Sequence, residues 1–389
     1  MKILYVLNSS KYGGMENHVL DLVKEMKKRG HDIFVFCPQG EMLKKYENCG
    51  ALVTEKYIKK DIDFEFIEDL RKFVNEKEID IVHSHELKAV CNSLIACRKS
   101  KVKAVVTHTH TPISEWQVNP FKKFFDIKIY SHLVNKYSDA EIALTESKKK
   151  VKIKEGIKEE KLVVIPNGLD MSKFEISDEK KSEYRKEIKH KFSIPEEAFV
   201  FGNMGRITRE KGHEILIKAF ANFLNLKNLS EYDKKNSYLL IAGGGVLEDK
   251  IRDLAKDLEI EKNVIITGKF EDEEKIKYLS SFDIFLFPTL AEGFGIVLTE
   301  SLSLGIPTVC SDLDVLKEVG DGFVSFFKTG DEKELANTML NEYNKVRNLK
   351  KSGDFFISGA KKYVKENYSM EKFAENYEFL YKKLSEKKR

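Results

Sequence analysis

Short runs of apolar residues recur along the chain, each closed by small or polar residues and most followed by a stretch whose hydrophobic positions keep helical spacing. Ile3-Leu4-Tyr5-Val6-Leu7 leads through a loop, Asn8 to Gly14, into a helical stretch from Met15 to Arg29 that Gly30 ends before the next run, Asp32 to Cys37. A continuous apolar run between helices marks a strand buried on both faces, so the chain opens as a β-loop-α-β unit with parallel strands. The pattern predicts further strands over Ile79–His85, Ala104–His110, Ala140–Leu144 and Leu162–Ile165, with helices over Phe64–Lys77 and Phe121–Tyr137. The second of these helices, FKKFFDIKIYSHLVNKY, reads as a core helix with snorkelling lysines or as a basic aromatic helix lying on a membrane surface.

From Ser172 to Glu197 the chain turns charged, with a helix over Asp178–Lys191. The boundary between two domains belongs here, giving residues 1–177 and 178–368. The alternation then restarts: strands at Phe199–Gly202, Tyr238–Ala242, Val264–Gly268, Phe282–Phe287 and Thr308–Cys310, separated by helical stretches. Beyond Gly330 the pattern is helical and polar, over Asp331–Val346, Asp354–Glu366 and Ser369–Lys383, the last with Phe373, Tyr377 and Tyr381 on one stripe. The tail from Lys382 to Arg389 is a charge run that could touch acidic lipid.

Composition narrows the class. A length of 389 residues is long for one core, which agrees with two domains. Lys and Arg number 67 against 63 Asp and Glu, so no general basic field argues for nucleic acid. The five cysteines, Cys37, Cys49, Cys91, Cys97 and Cys310, form no CxxC pair and read as buried thiols of a reducing compartment. No run approaches the roughly 18 to 20 apolar residues of a membrane span. A soluble or peripheral protein of the cytoplasm is expected, with at most weak contact to the inner membrane face.

Candidate chemistry gathers at strand ends. After Phe287-Pro288 a loop carries Glu292, Gly293, Phe294 and Gly295, and Glu300 stands eight positions after Glu292 in the helix that follows. A carboxylate can accept from two vicinal hydroxyls, the geometry of a hexose or ribose, and free amides at a helix start can donate to hydroxyl or phosphate oxygens. Arg206 and Lys211 share the loop after the Phe199 strand and are suited to neutralise a departing diphosphate. Gly243 and Gly245 form another close-approach turn, and Gly13-Gly14 stands at a helix start as an anion-facing loop. Neither is a complete GxGxxG and neither carries GK[ST], which weighs against nicotinamide binding and kinase chemistry. Two strand ends carry HxH, His83/His85 and His108/His110, a pairing that could suggest a metal; no Asp, Glu or Cys closes either set at ligand spacing.

Glu292-x7-Glu300 with Gly293-Phe294-Gly295, together with Gly205-Arg206 and Lys211-Gly212, resembles the signature of retaining GT-B-fold glycosyltransferases of family 4. The likeness covers nearly the whole chain, strongest from Gly202 to Gly320, and departs where Ser301-Leu302-Ser303-Leu304-Gly305 replaces a more usual Ala-Met-Ala-x-Gly. It implies an α/β fold of two facing Rossmann-like domains, the first binding acceptor and the second a UDP- or GDP-sugar, with the helix from Ser369 crossing back to the first domain. Glycosyl transfer with retained configuration is the implied activity, to a glycan or lipid-linked acceptor of surface polysaccharide or glycolipid, without cofactor or metal. The resemblance assigns His110, with His108 as the alternative, to the reacting sugar, Arg206 and Lys211 to the diphosphate, Glu292 and the amides of 293–295 to the donor sugar, Glu300 to the ribose, Gly13 and Gly14 to the phosphates, and Gly243 and Gly245 to the nucleotide. A non-catalytic sugar-nucleotide-binding subunit and a GT-B-fold sugar-nucleotide epimerase are the alternatives. The former predicts loss of Arg206, Lys211 or Glu292, all present, and the latter a different glutamate spacing.

Overall fold

The computed structural model describes residues 1–11, 13–352 and 358–386, without the side chains of 350–352 and 358. Tyr12, the start of the helix expected at Asp354, and the end of the charged tail lie outside the described residues. The chain divides into two compact units, Met1–Gly168 with Met370–Arg389, and Leu169–Ser369. The division falls at Gly168 rather than at Ser177. The short helical turn Met171–Phe174 buries Met171 and Phe174, and it packs with the helix Ile296–Ser303, so these residues belong to the second core. The charged composition beyond Ser172 marks an exposed helix, Asp178–Lys191, and not the point where the units part.

In the first unit seven strands form one sheet: β1 (Lys2–Val6), β2 (Asp32–Cys37), β3 (Leu52–Glu55), β4 (Ile81–His85), β5 (Ala104–His108), β6 (Ala140–Ala143) and β7 (Leu162–Val164), in the order 3-2-1-4-5-6-7. All its pairings are parallel. Side chains alternate between two cores, Ile3 and Tyr5 facing one and Leu4 and Val6 the other, as a sheet covered on both faces requires. The helix Met370–Glu386 supplies Phe373, Tyr377, Leu380 and Tyr381 to the first of these cores, so the last residues of the chain complete the first unit.

The second unit repeats the plan with six parallel strands: β8 (Phe199–Met204), β9 (Ser237–Ala242), β10 (Val264–Ile266), β11 (Ile284–Phe287), β12 (Thr308–Ser311) and β13 (Ser325–Phe327), in the order 10-9-8-11-12-13. Strand order reverses between β1 and β4 in the first sheet and between β8 and β11 in the second. In open α/β sheets a crevice opens at the carboxyl ends of the strands on either side of such a reversal. Both sets of candidate residues lie at these points.

Candidate functional site

In the second unit the loops after β8 and β11 meet. Gly212 has φ +71°, and a Cβ there would stand 1.9 Å from the carbonyl oxygen of Pro288, so only glycine lets the two loops approach this closely. Two bonds to the Glu210 carbonyl hold the contact, from the amide of Leu290 at 2.7 Å and the hydroxyl of Thr289 at 2.9 Å. This brings Lys211 Nζ to 2.7 Å from Glu292 Oε2, while the amide of Gly293 donates to the other carboxylate oxygen at 3.1 Å. The Lys211 and Glu292 side chains are 22% and 15% exposed, open enough to reach a ligand and sheltered enough for charge to act strongly. Arg206 is exposed on the β8 loop; burial works to raise the nearby Glu210 carboxyl, but the hydrogen bond from the Thr208 hydroxyl, with smaller help from the charges of Lys211 and Arg206, holds it below the ordinary range.

Glu300 sits deeper. It is buried in the helix Ile296–Ser303, with one oxygen 2.9 Å from Lys275 Nζ and the other without a protein partner. Burial raises its pKa and Lys275 opposes the rise. Phe294 is buried with its ring edge-on to Tyr368 at 5.4 Å, so its side chain serves the core and only its backbone is left to meet a ligand. Gly295 caps the helix Ile296–Ser303. A Cβ at Gly243 would meet the carbonyl oxygen of Gly205 at 2.0 Å and one at Gly245 that of Ile207 at 2.4 Å. These glycines are therefore required by the packing of the β9 loop on the β8 loop, whatever binds there.

In the first unit Gly13 caps the helix Gly14–Lys28, as the sequence predicts for the β1 loop. One turn on, His18 turns inward. It joins His85 and His108, from the ends of β4 and β5, and His110 just beyond, with ligand-type atoms all within 4.8 Å of one another. His18 Nδ1 donates to the side-chain oxygen Oδ1 of Asn167 at 2.8 Å, and the Tyr377 hydroxyl lies 3.3 Å from its Nε2. Burial pushes His18 down to about 4 and holds His85, His108 and His110 well below the ordinary imidazole range. The four are neutral near pH 7. Neutral imidazoles are what metal ligation needs. Their geometry is less suited: His108 and His110 stack at 3.8 Å between centroids with planes 19° apart, so their in-plane lone pairs lie in separate, nearly parallel planes and do not meet at one point.

Beneath these rings a buried ion pair, Lys152 with Glu141, anchors the β5 tip. Lys152 also donates to Thr109 Oγ1 at 3.0 Å and to the Ile142 carbonyl at 2.7 Å, and Tyr130 donates to Glu141 at 2.9 Å. Its charge contributes to keeping His108 and His110 deprotonated, after burial and neighbouring histidines.

The structure thus joins Lys211 to Glu292 and gathers His110 with three other histidines. Sequence reasoning missed His18, Asn167, Lys152 and Lys275. A lone histidine or lysine on a helix carries no sign of which way it faces, and only the position of His18 four residues after the Gly13-Gly14 turn hints at its place.

The family description "Glycosyl transferases group 1" matches residues 184–354, and "Glycosyltransferase Family 4" matches residues 12–173. The chain belongs to the GT-B-fold glycosyltransferases of group 1 and family 4; it is a transferase. Among its relatives, the Escherichia coli O-antigen biosynthesis glycosyltransferase WclY is 24% identical over 99% of both chains. The alpha-monoglucosyldiacylglycerol synthase of Streptococcus pneumoniae is 26% identical over 76% of this chain and 67% of its own length. Anabaena HepE, solved in complex with UDP, shares the fold with a TM-score of 0.82 at 19% identity, covering 98% of this chain and 99% of its own.

Proposed function

We propose that this chain is a retaining hexosyltransferase that moves a sugar from a UDP- or GDP-linked donor to a glycan or lipid-linked acceptor, in surface polysaccharide or glycolipid synthesis, as a peripheral enzyme at the inner membrane face. The observation that carries the reading is the Lys211–Glu292 pair at the reversal of the second sheet, a cation and a carboxylate 2.7 Å apart where a diphosphate and a sugar hydroxyl are neighbours in one ligand. Lys211 and Arg206 take the diphosphate, whose charge grows as the bond from the anomeric carbon to phosphate oxygen breaks. Glu292, with the amides of Gly293, Phe294 and Gly295, holds the donor sugar, and Glu300 accepts from the ribose through its unpartnered oxygen. The β9 loop at Gly243 and Gly245 borders the nucleotide, and Gly13 and Gly14 offer helix-start amides to the phosphates.

The acceptor hydroxyl attacks the anomeric carbon on the face the phosphate leaves, and its proton passes to the departing diphosphate oxygen. Configuration is retained without a carboxylate nucleophile, and no metal is needed where two side-chain cations meet the leaving group. His110, held neutral, is assigned to the transferred sugar as a hydrogen-bonding group and not as a proton donor.

The names of the two relatives favour surface glycan or glycolipid acceptors, and UDP bound by HepE favours a uridine donor. A panel of UDP- and GDP-sugars, screened for thermal stabilisation and then for sugar release with and without lipid-linked acceptors, tests the proposal. Stabilisation by one nucleotide sugar and acceptor-dependent release of its nucleotide are expected. Release that is equal without acceptor would point to hydrolysis or epimerisation, and no stabilisation by any donor would end the reading.

A further inference from the structure

The helix Pro120–Tyr137 packs on the core with one side only, which leaves room for both readings its sequence offers. It starts ten residues after His110, capped by Asn119, whose side chain accepts from the amides of Phe121 and Lys122. Its buried side is formed by Tyr130, Ser131 and Val134, with Ile127 and Leu133 packed on the same core. Phe121, Phe124, Phe125 and Ile129, spaced i, i+3, i+4 and i+8, lie on the opposite side of the helix and are 81%, 57%, 59% and 51% exposed. Four large apolar side chains in one stripe of roughly 12 Å are more than scattered surface hydrophobics require.

Charge says what covers them. Lys128 stands within the stripe, its Nζ 5.7 Å from the Phe124 ring, and Lys122 and Lys136 border it. The only acid of the helix, Asp126, is 15% exposed and paired to Lys122 at 3.1 Å. An apolar stripe flanked by Lys128 and Lys136, for which the described residues supply no acidic partner, matches an interface of acyl chains beneath anionic headgroups. No helix among the described residues is long and apolar enough to cross a membrane.

We infer that the exposed face of the helix Pro120–Tyr137 is a docking surface for an anionic lipid bilayer, with the phenylalanines entering the headgroup layer and the lysines pairing with lipid phosphates. This deepens the peripheral placement proposed above and rests on it, since the same helix continues from the loop that carries His110.

The test is co-sedimentation of the full chain with phosphatidylcholine vesicles and with vesicles containing 30% phosphatidylglycerol, for the natural protein and for the Phe121→Ser, Phe124→Ser, Phe125→Ser triple variant. Binding to the anionic vesicles at least tenfold tighter than to neutral ones is expected, weakened by salt and reduced tenfold or more in the variant. The variant's melting temperature should be unchanged because the replaced rings are exposed. Equal binding by the variant, or none by the natural protein, would overturn the inference. So would a natural protein that dimerises through this face and ignores vesicles. Vesicle binding that persists in a protein unstabilised by any nucleotide sugar would sink the proposed UDP- or GDP-sugar donor and leave this inference standing.

Discussion

Replacing Lys211 by Ala separates a ligand-binding role from a structural one. The Lys211–Glu292 pair is partly exposed, so its loss should cost the unliganded protein no more than about 1 kcal/mol. In the complex the ammonium faces a diphosphate instead. A hydrogen bond to a charged group contributes roughly 1.5 to 3 kcal/mol, and each 1.4 kcal/mol is about tenfold in affinity, so nucleoside diphosphate should bind roughly 10- to 100-fold more weakly. At UDP or GDP a hundredfold above the natural dissociation constant, the protein gains ~2.7 kcal/mol; a variant weakened ~30-fold gains only ~0.9 kcal/mol. For a unit of this size the melting shift should fall from roughly 5 to 10 °C to roughly 2 to 4 °C. Differential scanning fluorimetry with both nucleotides and both proteins measures it. An unchanged shift would refute the assignment of Lys211 to the diphosphate. A variant that melts many degrees lower without nucleotide would show that the pair holds the loops together and serves no ligand.

Two further outcomes follow from buried charge in the first unit. Because the native protein holds His18, His85, His108 and His110 neutral, the unfolded chain binds protons first as pH falls below about 6.5, and stability is full above that pH and lost beneath it. Each imidazole so held should cost roughly 2 kcal/mol at pH 5, so hydrogen-exchange protection factors of β4 and β5, taken against the intrinsic exchange rate at each pH, should fall between pH 7 and 5 far more than those of β9; an equal fall in both sheets would contradict the cluster's neutrality. Lys152→Met should destabilise by roughly 3 to 5 kcal/mol in urea titration, since it strands the carboxylate of Glu141, and adding Glu141→Gln should recover part of that loss; a cost under 1 kcal/mol would show that the pair is wet.

The central strands were legible because a strand buried on both faces writes itself as an apolar run, and β1, β2, β4, β8 and β11 do so. Edge strands such as β3, with Leu52 and Glu55 exposed, carry too little apolar character to declare themselves. Lys211 and Glu292 could be paired in advance because loop glycines and strand ends told where each must lie. The stripe at Phe121–Ile129 shows the limit of periodicity: it reports that a helix has an apolar side, and not whether that side meets the core or the solvent. Tyr130 and Val134, on the other side, were apolar too, and the core took them.

The return of the helix Met370–Glu386 to the first unit has a consequence for how the molecule is made. Tyr381 reaches His83 at 2.8 Å and Tyr377 reaches His18, so the floor beneath the histidines is assembled from residues synthesised after the whole of the second unit. On the ribosome, the second unit has everything it needs while the first still waits for its closing helix. The first unit therefore matures after the second, and until that helix docks its clustered histidines lie over an unfinished base.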